Sequence, residues 1–176
     1  LSPRPRFDLV VNLLSAQAAV EGSIVVQGGR QWRPFVHVSD VADVLAACVT
    51  APSANVSGKV LNVGSDAENY TIGAIAELVR EAVPGTSVQY TAEDDRRNYR
   101  VAFSRLAQAV GFGPTTSVSA GIAETRDALE AGAIADFRAI SHSNVRAFSE
   151  RLAARPSRRM TPVERVRTPV GDLVSR

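Results

Sequence analysis

Two arginines carry the most specific chemistry this sequence offers. Arg33 follows a glycine pair, Gly28 and Gly29, and a bulky Trp32 in the run I-V-V-Q-G-G-R-Q-W-R-P-F-V-H-V-S-D-V from Ile24 to Val41. A planar guanidinium held on a rigid strand presents forked N–H donors that match two oxygens of a phosphate. Arg97 lies in E-D-D-R-R-N-Y-R-V, where three acids precede Arg96, Arg97 and Arg100, with Tyr99 among them. A lone arginine at a strand end is ordinarily solvated, and a mixed charge cluster is ordinarily a turn. Two arginine-bearing loops set on rigid elements, however, could bind an anion. Other chemistry is thinly provided. His37 has no second His, Cys or carboxylate at ligand spacing, so a hydrogen-bonded structural histidine is expected there and not a metal ligand. Cys48, in A-A-C-V-T on an apparent helix, reads as a small core residue. No G-x-G-x-x-G, Walker loop or G-x-S-x-G occurs.

The elements that must position these arginines follow from periodicity. After an extended S-P-R-P-R, apolar residues from Leu9 to Val20 recur at helical spacing, with Asp8 as the expected N-cap. A strand over Ile24–Gln27, the glycine turn and a second strand over Phe35–Val38 suggest a hairpin-like unit, followed by a helix capped by Asp40. Val60–Gly64 reads as a short buried strand. A helix over Thr71–Val83, a strand over Ser87–Thr91, a helix over Ser104–Val110 and another from Ser117 or Ser119 to about Ala131 complete the pattern. The alternation points to an α/β or α+β layered arrangement.

At 176 residues, 45% of them hydrophobic and 22% charged, the chain has the composition of one ordinary globular domain. No apolar run is long enough to span a bilayer, so no membrane partner is expected. A single cysteine excludes a disulfide framework and makes a reducing, cytoplasmic setting the default. The N-terminus lacks Met and a signal-like apolar core, which reads as a fragment or processed chain. Residues 1–135 carry eleven Lys or Arg against fourteen Asp or Glu, whereas residues 136–176 carry nine Arg against four acids. The basic pI therefore comes from the end of the chain. Residues 136–176 are expected to form an Arg/Pro-rich tail, disordered or loosely attached. Without interleaved aromatics for base stacking, nonspecific stickiness is expected of it and nucleic-acid binding is not.

The order of S-P-R-x-R-F-D-L-V-V-N, I-x-V-x-G-G-x-Q-W-R-P-F-V-H-V-x-D-V-A, G-K-V-L-N-V-G, T-I-x-x-I-A-E-L-V, D-x-R-x-Y-R-V and L-x-x-A-V-G-F resembles one family over roughly residues 2 to 130. That family is the NAD-dependent nucleotide-sugar epimerases and dehydratases, the extended short-chain dehydrogenase/reductases. The resemblance is to the carboxyl-terminal half only. The glycine-rich NAD loop, the Ser or Thr and the Tyr-x-x-x-Lys that do the chemistry in the amino half have no counterpart here.

The resemblance implies a fold, the substrate-binding part of an extended Rossmann-type enzyme, with a small mixed sheet and flanking helices over residues 1–135. It implies that Arg33 and Arg97 clamp the diphosphate of a nucleotide sugar, and that Asn12 helps hold the nucleotide. Val25, Val26 and Gln27 match the strand edge against which the base packs, and Tyr99 matches the same pocket. Pro34 departs from the Asp that many 4-epimerases carry after this Arg. The full enzyme would use NAD(P), which this chain alone is not expected to bind, and would oxidise the sugar ring to a keto intermediate. Family members often dimerise through the half that is absent, which makes a homodimer through that half the implied assembly. The reading from a different class is a non-enzymatic nucleotide- or anion-binding interaction module that has lost the catalytic half. Without the dinucleotide-binding sheet, apolar faces along Val60–Val63 and the Asp40 helix are expected to lie uncovered.

Overall fold

The computed structural model describes residues 2–92, 97–111 and 113–154. In order, its elements are α1 (Val10–Glu21), β1 (Ser23–Gln27), β2 (Trp32–Pro34), α2 (Val38–Thr50), α3 (Ser53–Val56), β3 (Asn69–Thr71), α4 (Ile72–Ala82), β4 (Ser87–Thr91), α5 (Ser104–Val110), α6 (Val118–Glu130) and α7 (Asn144–Ala153). Three-residue 3-10 turns at Asp66–Glu68 and Ile140–His142 precede β3 and α7.

The core follows from apolar spacing. On α4, Ile72, Ile75, Ala76 and Val79 line one helical stripe, and Thr71 caps the helix by accepting from Ala74 N–H. On β1, Ile24 and Val26 point inward, while Val25 and Gln27 are exposed, the period-two alternation of a strand. These residues pack with Leu14 and Ala18 of α1 and with Val118 and Ile122 of α6. A smaller cluster joins Phe7 and Ala16 to Ile134 and Phe137.

The glycine turn does not close a hairpin. β1 pairs in parallel with β4, Ile24 opposite Val88, whereas β2 pairs antiparallel with β3, Arg33 opposite Tyr70. Gly28 and Gly29, at φ 74° and 100°, take the chain through left-handed conformations that lead it from one sheet to the other. The second strand ends at Pro34, not Val38. His37 is the residue that caps α2, its ring accepting from Ser39 N–H.

Two aspartates expected as caps do other work. Asp40 lies inside the first turn of α2 and is 3% exposed, with its carboxylate accepting from Thr115 and Thr116 N–H at 3.3 and 3.0 Å. Leu9 occupies the N-cap of α1. Asp8 pairs with Arg6 at 2.9 Å and accepts from Asn144 N–H at the start of α7. The guanidinium of Arg6 bonded to it holds the Asp8 carboxyl below its ordinary value.

Val60–Val63 is not a strand, and Val60 is 80% exposed. A strand needs a neighbour to pair its backbone, and no strand lies beside this segment among the described residues. The strand that pairs antiparallel with β2 is Asn69–Thr71. Residues 136–154 carry α7 and are tied to the chain's start: Phe7 N–H donates to His142 O, His142 Nδ1 lies 2.9 Å from Pro5 O, and Phe7 meets Phe137 edge-on at 5.8 Å. The remainder of the expected tail, residues 155–176, lies outside the described residues.

Candidate anion-binding site

The arginine-bearing segments are held from both sides. Gly29 N–H donates to Gln31 Oε1, Gln31 Nε2 donates back to Gln27 O, and Gly73 N–H at the start of α4 donates to Gly29 O at 2.8 Å. Ile72 N–H reaches Gln31 O at 3.1 Å. The turn that delivers β2 is thereby fixed against the first turn of α4. On the other side, Asn69, buried at the start of β3, exchanges two hydrogen bonds of 3.0 Å with the backbone of Val101, and Asp66 accepts from Phe103 N–H at 2.9 Å. These bonds anchor the carboxyl end of the segment that carries Arg97.

The two segments then meet. Trp32 N–H donates to Asn98 Oδ1 at 2.9 Å, and Tyr99 N–H donates to Trp32 O at 3.3 Å. The Arg33 guanidinium donates to the carbonyls of both Trp32 and Arg97 and lies 5.5 Å from the centroid of the Tyr99 ring. Arg100 in turn lies 4.6 Å over the Trp32 ring. Each segment thus offers one arginine to the other's aromatic ring, a cation–π arrangement that orders long side chains otherwise free to roam. Opposite Arg33, the Tyr70 phenol is pushed above its ordinary value by burial and by the nearby Glu68 carboxylate.

Of the residues singled out from sequence, Arg33, Arg97 and Tyr99 come together here. Val25, Val26 and Gln27 lie on β1 in the other sheet. Val25 and Gln27 face outward, but Val26 is 1% exposed and packs in the core, so only its backbone can meet a ligand. Asn12 lies elsewhere, donating to Arg6 O at 2.8 Å and lining a cavity of about 440 Å³ with Arg4, Pro34, Phe35, His37 and Glu124. In that cavity His37 accepts from Ser39 N–H through Nδ1, which leaves Nε2–H to donate to Glu124 at 2.7 Å and join α2 to α6. Arg96, with the three acids before it, lies outside the described residues. Sequence reasoning passed over Trp32, Asn69, Asn98 and Arg100 as site-building residues. The alternation of arginines with Trp32 and Tyr99 was visible, yet only folding shows that the rings and cations cross.

Comparison with known proteins follows the same outline. Residues 3–64 match the family described as the NAD dependent epimerase/dehydratase family. Among solved structures, the UDP-glucose 4-epimerase of Thermotoga maritima with UDP-glucose superposes at a TM-score of 0.61 with 19% identity, covering 72% of this chain and 40% of that one. The dTDP-glucose 4,6-dehydratase of Bacillus anthracis in complex with NAD gives 0.60 at 18% identity, over 74% and 42%. The ADP-L-glycero-D-manno-heptose-6-epimerase of Helicobacter pylori gives 0.58 at 19% identity, over 69% and 37%. The resemblance read from the motifs is thereby borne out, as is the α/β fold with small parallel and antiparallel sheets and flanking helices. The chain spans roughly 40% of the length of the solved proteins it matches.

Proposed function

We propose that this chain is the substrate-binding part of an NAD-dependent nucleotide-sugar epimerase or dehydratase, and that Arg33 and Arg97 grip the substrate's diphosphate. The observation that supports it most is the meeting of these two residues, 64 positions apart, through the bond from the Arg33 guanidinium to the Arg97 carbonyl. A diphosphate offers several charged oxygens, and two forked guanidiniums supply matching donors from two separate segments. Tyr99 lies under Arg33 and fixes its direction. In this reading the exposed faces of Val25 and Gln27 and the backbone of Val26 form the edge for the nucleobase, and Asn12 steadies the nucleotide from the cavity side.

The reaction would be completed by NAD(P) and the proton-transfer residues of a dinucleotide-binding half. This chain supplies grip and orientation, and holding a sugar in register for hydride transfer is worth several kcal/mol of barrier. Alone it should bind substrate but turn nothing over. Residues 1–135 form the binding part in this proposal, its setting is the cytoplasm, and the family's homodimer would form through the other half.

The test is calorimetric titration of UDP-, dTDP-, GDP- and CDP-sugars into the chain and into an Arg33→Ala, Arg97→Ala double variant. Binding of one nucleotide class is expected, weakened at least ~100-fold in the double variant, since each charge-assisted contact contributes ~1.5–3 kcal/mol. Equal affinity in both proteins, or no binding by a chain shown folded by circular dichroism, would overturn the proposal.

A further inference from the structure

We propose that Asn69 is a positioning residue for the anion site, its side-chain amide setting the register in which the segment carrying Arg97 lies along β2. The inference rests on the substrate reading above and deepens it by naming the residue through which one arm of the clamp is held.

The backbone of β2 shows why such a residue is needed. Ile72 N–H donates to Gln31 O and Phe35 N–H to Glu68 O, so Gln31 and Phe35 bond on the β3 side, and alternation turns the polar groups of Trp32 and Pro34 to the opposite edge. There Trp32 N–H donates to Asn98 Oδ1, and the Trp32 carbonyl accepts from Tyr99 N–H. Pro34, the next residue facing that way, has no N–H. The edge therefore cannot carry a full ladder onward from Tyr99.

The continuation is fastened from β3 instead. Asn69, 8% exposed, accepts from Val101 N–H and donates to Val101 O, both at 3.0 Å, and its amide also donates to Asp66 O at 3.1 Å. A primary amide offers a donor and an acceptor side by side, so it pairs with both polar groups of one residue as a strand edge does. Val101 lies four residues from Arg97, whose carbonyl accepts from the Arg33 guanidinium. A slip of one residue would leave Asn69 facing the backbone of Arg100 or Ala102 and carry Arg97 about 3.3 Å along β2. Asn69 thus acts on the clamp through the backbone and touches no ligand itself.

The test is a double-mutant cycle read with UDP and, separately, inorganic pyrophosphate. Calorimetric titrations are made with the full wild-type chain, Asn69→Leu, Asn69→Ala, Arg97→Ala and Asn69→Leu, Arg97→Ala, each shown folded by circular dichroism. Both Asn69 variants should weaken both ligands roughly tenfold, whereas in the Arg97→Ala background Asn69→Leu should change affinity less than about twofold, because its effect passes through Arg97. A second readout needs no ligand. Trp32 is the sole tryptophan, and its ring lies 4.6 Å under the Arg100 guanidinium of the same segment, so loss of register should open the indole to quenching by acrylamide. If the Asn69 variants do not fold, Asn98→Ala, at an exposed residue, breaks the registration from its other end and should show the same coupling to Arg97. Wild-type affinity in the folded Asn69 variants, or in Asn98→Ala where those variants do not fold, overturns the register role, and if Arg97→Ala still loses binding the clamp stands. Equal weakening with and without Arg97 also overturns it, because Asn69 would then support the fold and not the arginine. If a folded wild-type chain binds neither ligand, or Arg97→Ala binds as the wild type does, the clamp falls and this role with it.

Discussion

The two flanks of this chain are finished to different degrees. On one, α1, β1, α4 and α6 enclose Ile24, Val26, Ile75, Val79 and Ile122 at no more than 1% exposure. On the other, α2 shows Leu45 and Val49 to solvent at 61% and 85%, and Val60, 80% exposed, lies on a segment that pairs with no strand among the described residues. The helices α2 and α6, one from each flank, have similar amphipathic spacing. What differs is whether a second apolar surface is present to meet them, which shows that burial is a property of pairs of surfaces and not of the helix that carries the residues. Under the proposed function, the surface that α2 and residues 59–63 await is the sheet of the dinucleotide-binding half.

The comparison breaks most visibly if the finished flank proves soft. Ile75→Ala or Ile122→Ala removes a fully enclosed side chain and should cost ~2–5 kcal/mol, read as a shift in the urea midpoint with an unchanged slope. An effect below ~1 kcal/mol would mean that this core is loosely packed in solution. Asp40→Ala comes next. It leaves the amides of Thr115 and Thr116 without their carboxylate acceptor and should cost ~1–3 kcal/mol, although the residue sits on α2, the unfinished flank. That outcome would place the boundary between the flanks around the helix, with Asp40 and Val44 anchored on one face and Leu45 and Val49 bare on the other.

The parts legible in sequence are those governed by local rules. Thr71 caps α4 where its spacing places it, Ser117 is the one of the two serine candidates that caps α6, Gly111 ends α5 in a left-handed conformation, and β4 lies where alternation places it. The misread parts depend on distant partners. A glycine turn between two apolar runs looks the same whether the runs pair with each other or, as here, with strands 64 and 37 residues further on. Asp8 and Asp40 have the right spacing for local caps, and only tertiary structure shows that Asn144 and the Thr115–Thr116 amides claim them. The site follows the same division: Arg33, Arg97 and Tyr99 were legible as types near rigid elements, whereas Asn69 carries no spacing signal for its bonds to Val101.

Asp8 offers a smaller, pH-dependent test at the joint between the chain's start and α7. Its folded-state pKa is held below the ordinary value by Arg6, so the stability it contributes is fully present above the ordinary carboxylate value near 3.8 and is lost as the pH falls through the depressed folded value. Arg6 is more than a third exposed, which limits the pair to roughly 0.5–1 kcal/mol. Asp8→Asn should therefore lie slightly below wild type at neutral pH and converge with it in acid, as followed by thermal melts across pH. Parallel curves down to the lowest pH would show that the Arg6 pairing does not contribute in solution.

The smallest expected effect is also the one that sharpens the comparison furthest. Val49→Ala, at a side chain 85% exposed, should change the stability of this chain by no more than ~0.5 kcal/mol, because solvent already occupies the space the methyl groups would vacate. Joined to a dinucleotide-binding half, the same substitution should cost more, ~1 kcal/mol, since those methyl groups would then be removed from a contact and not from water. The measurement is the change in urea midpoint for the same substitution in the two lengths of chain. A cost that appears only in the longer chain marks α2 as an interface; equal small costs in both would mean that its apolar residues face solvent in the assembled protein too.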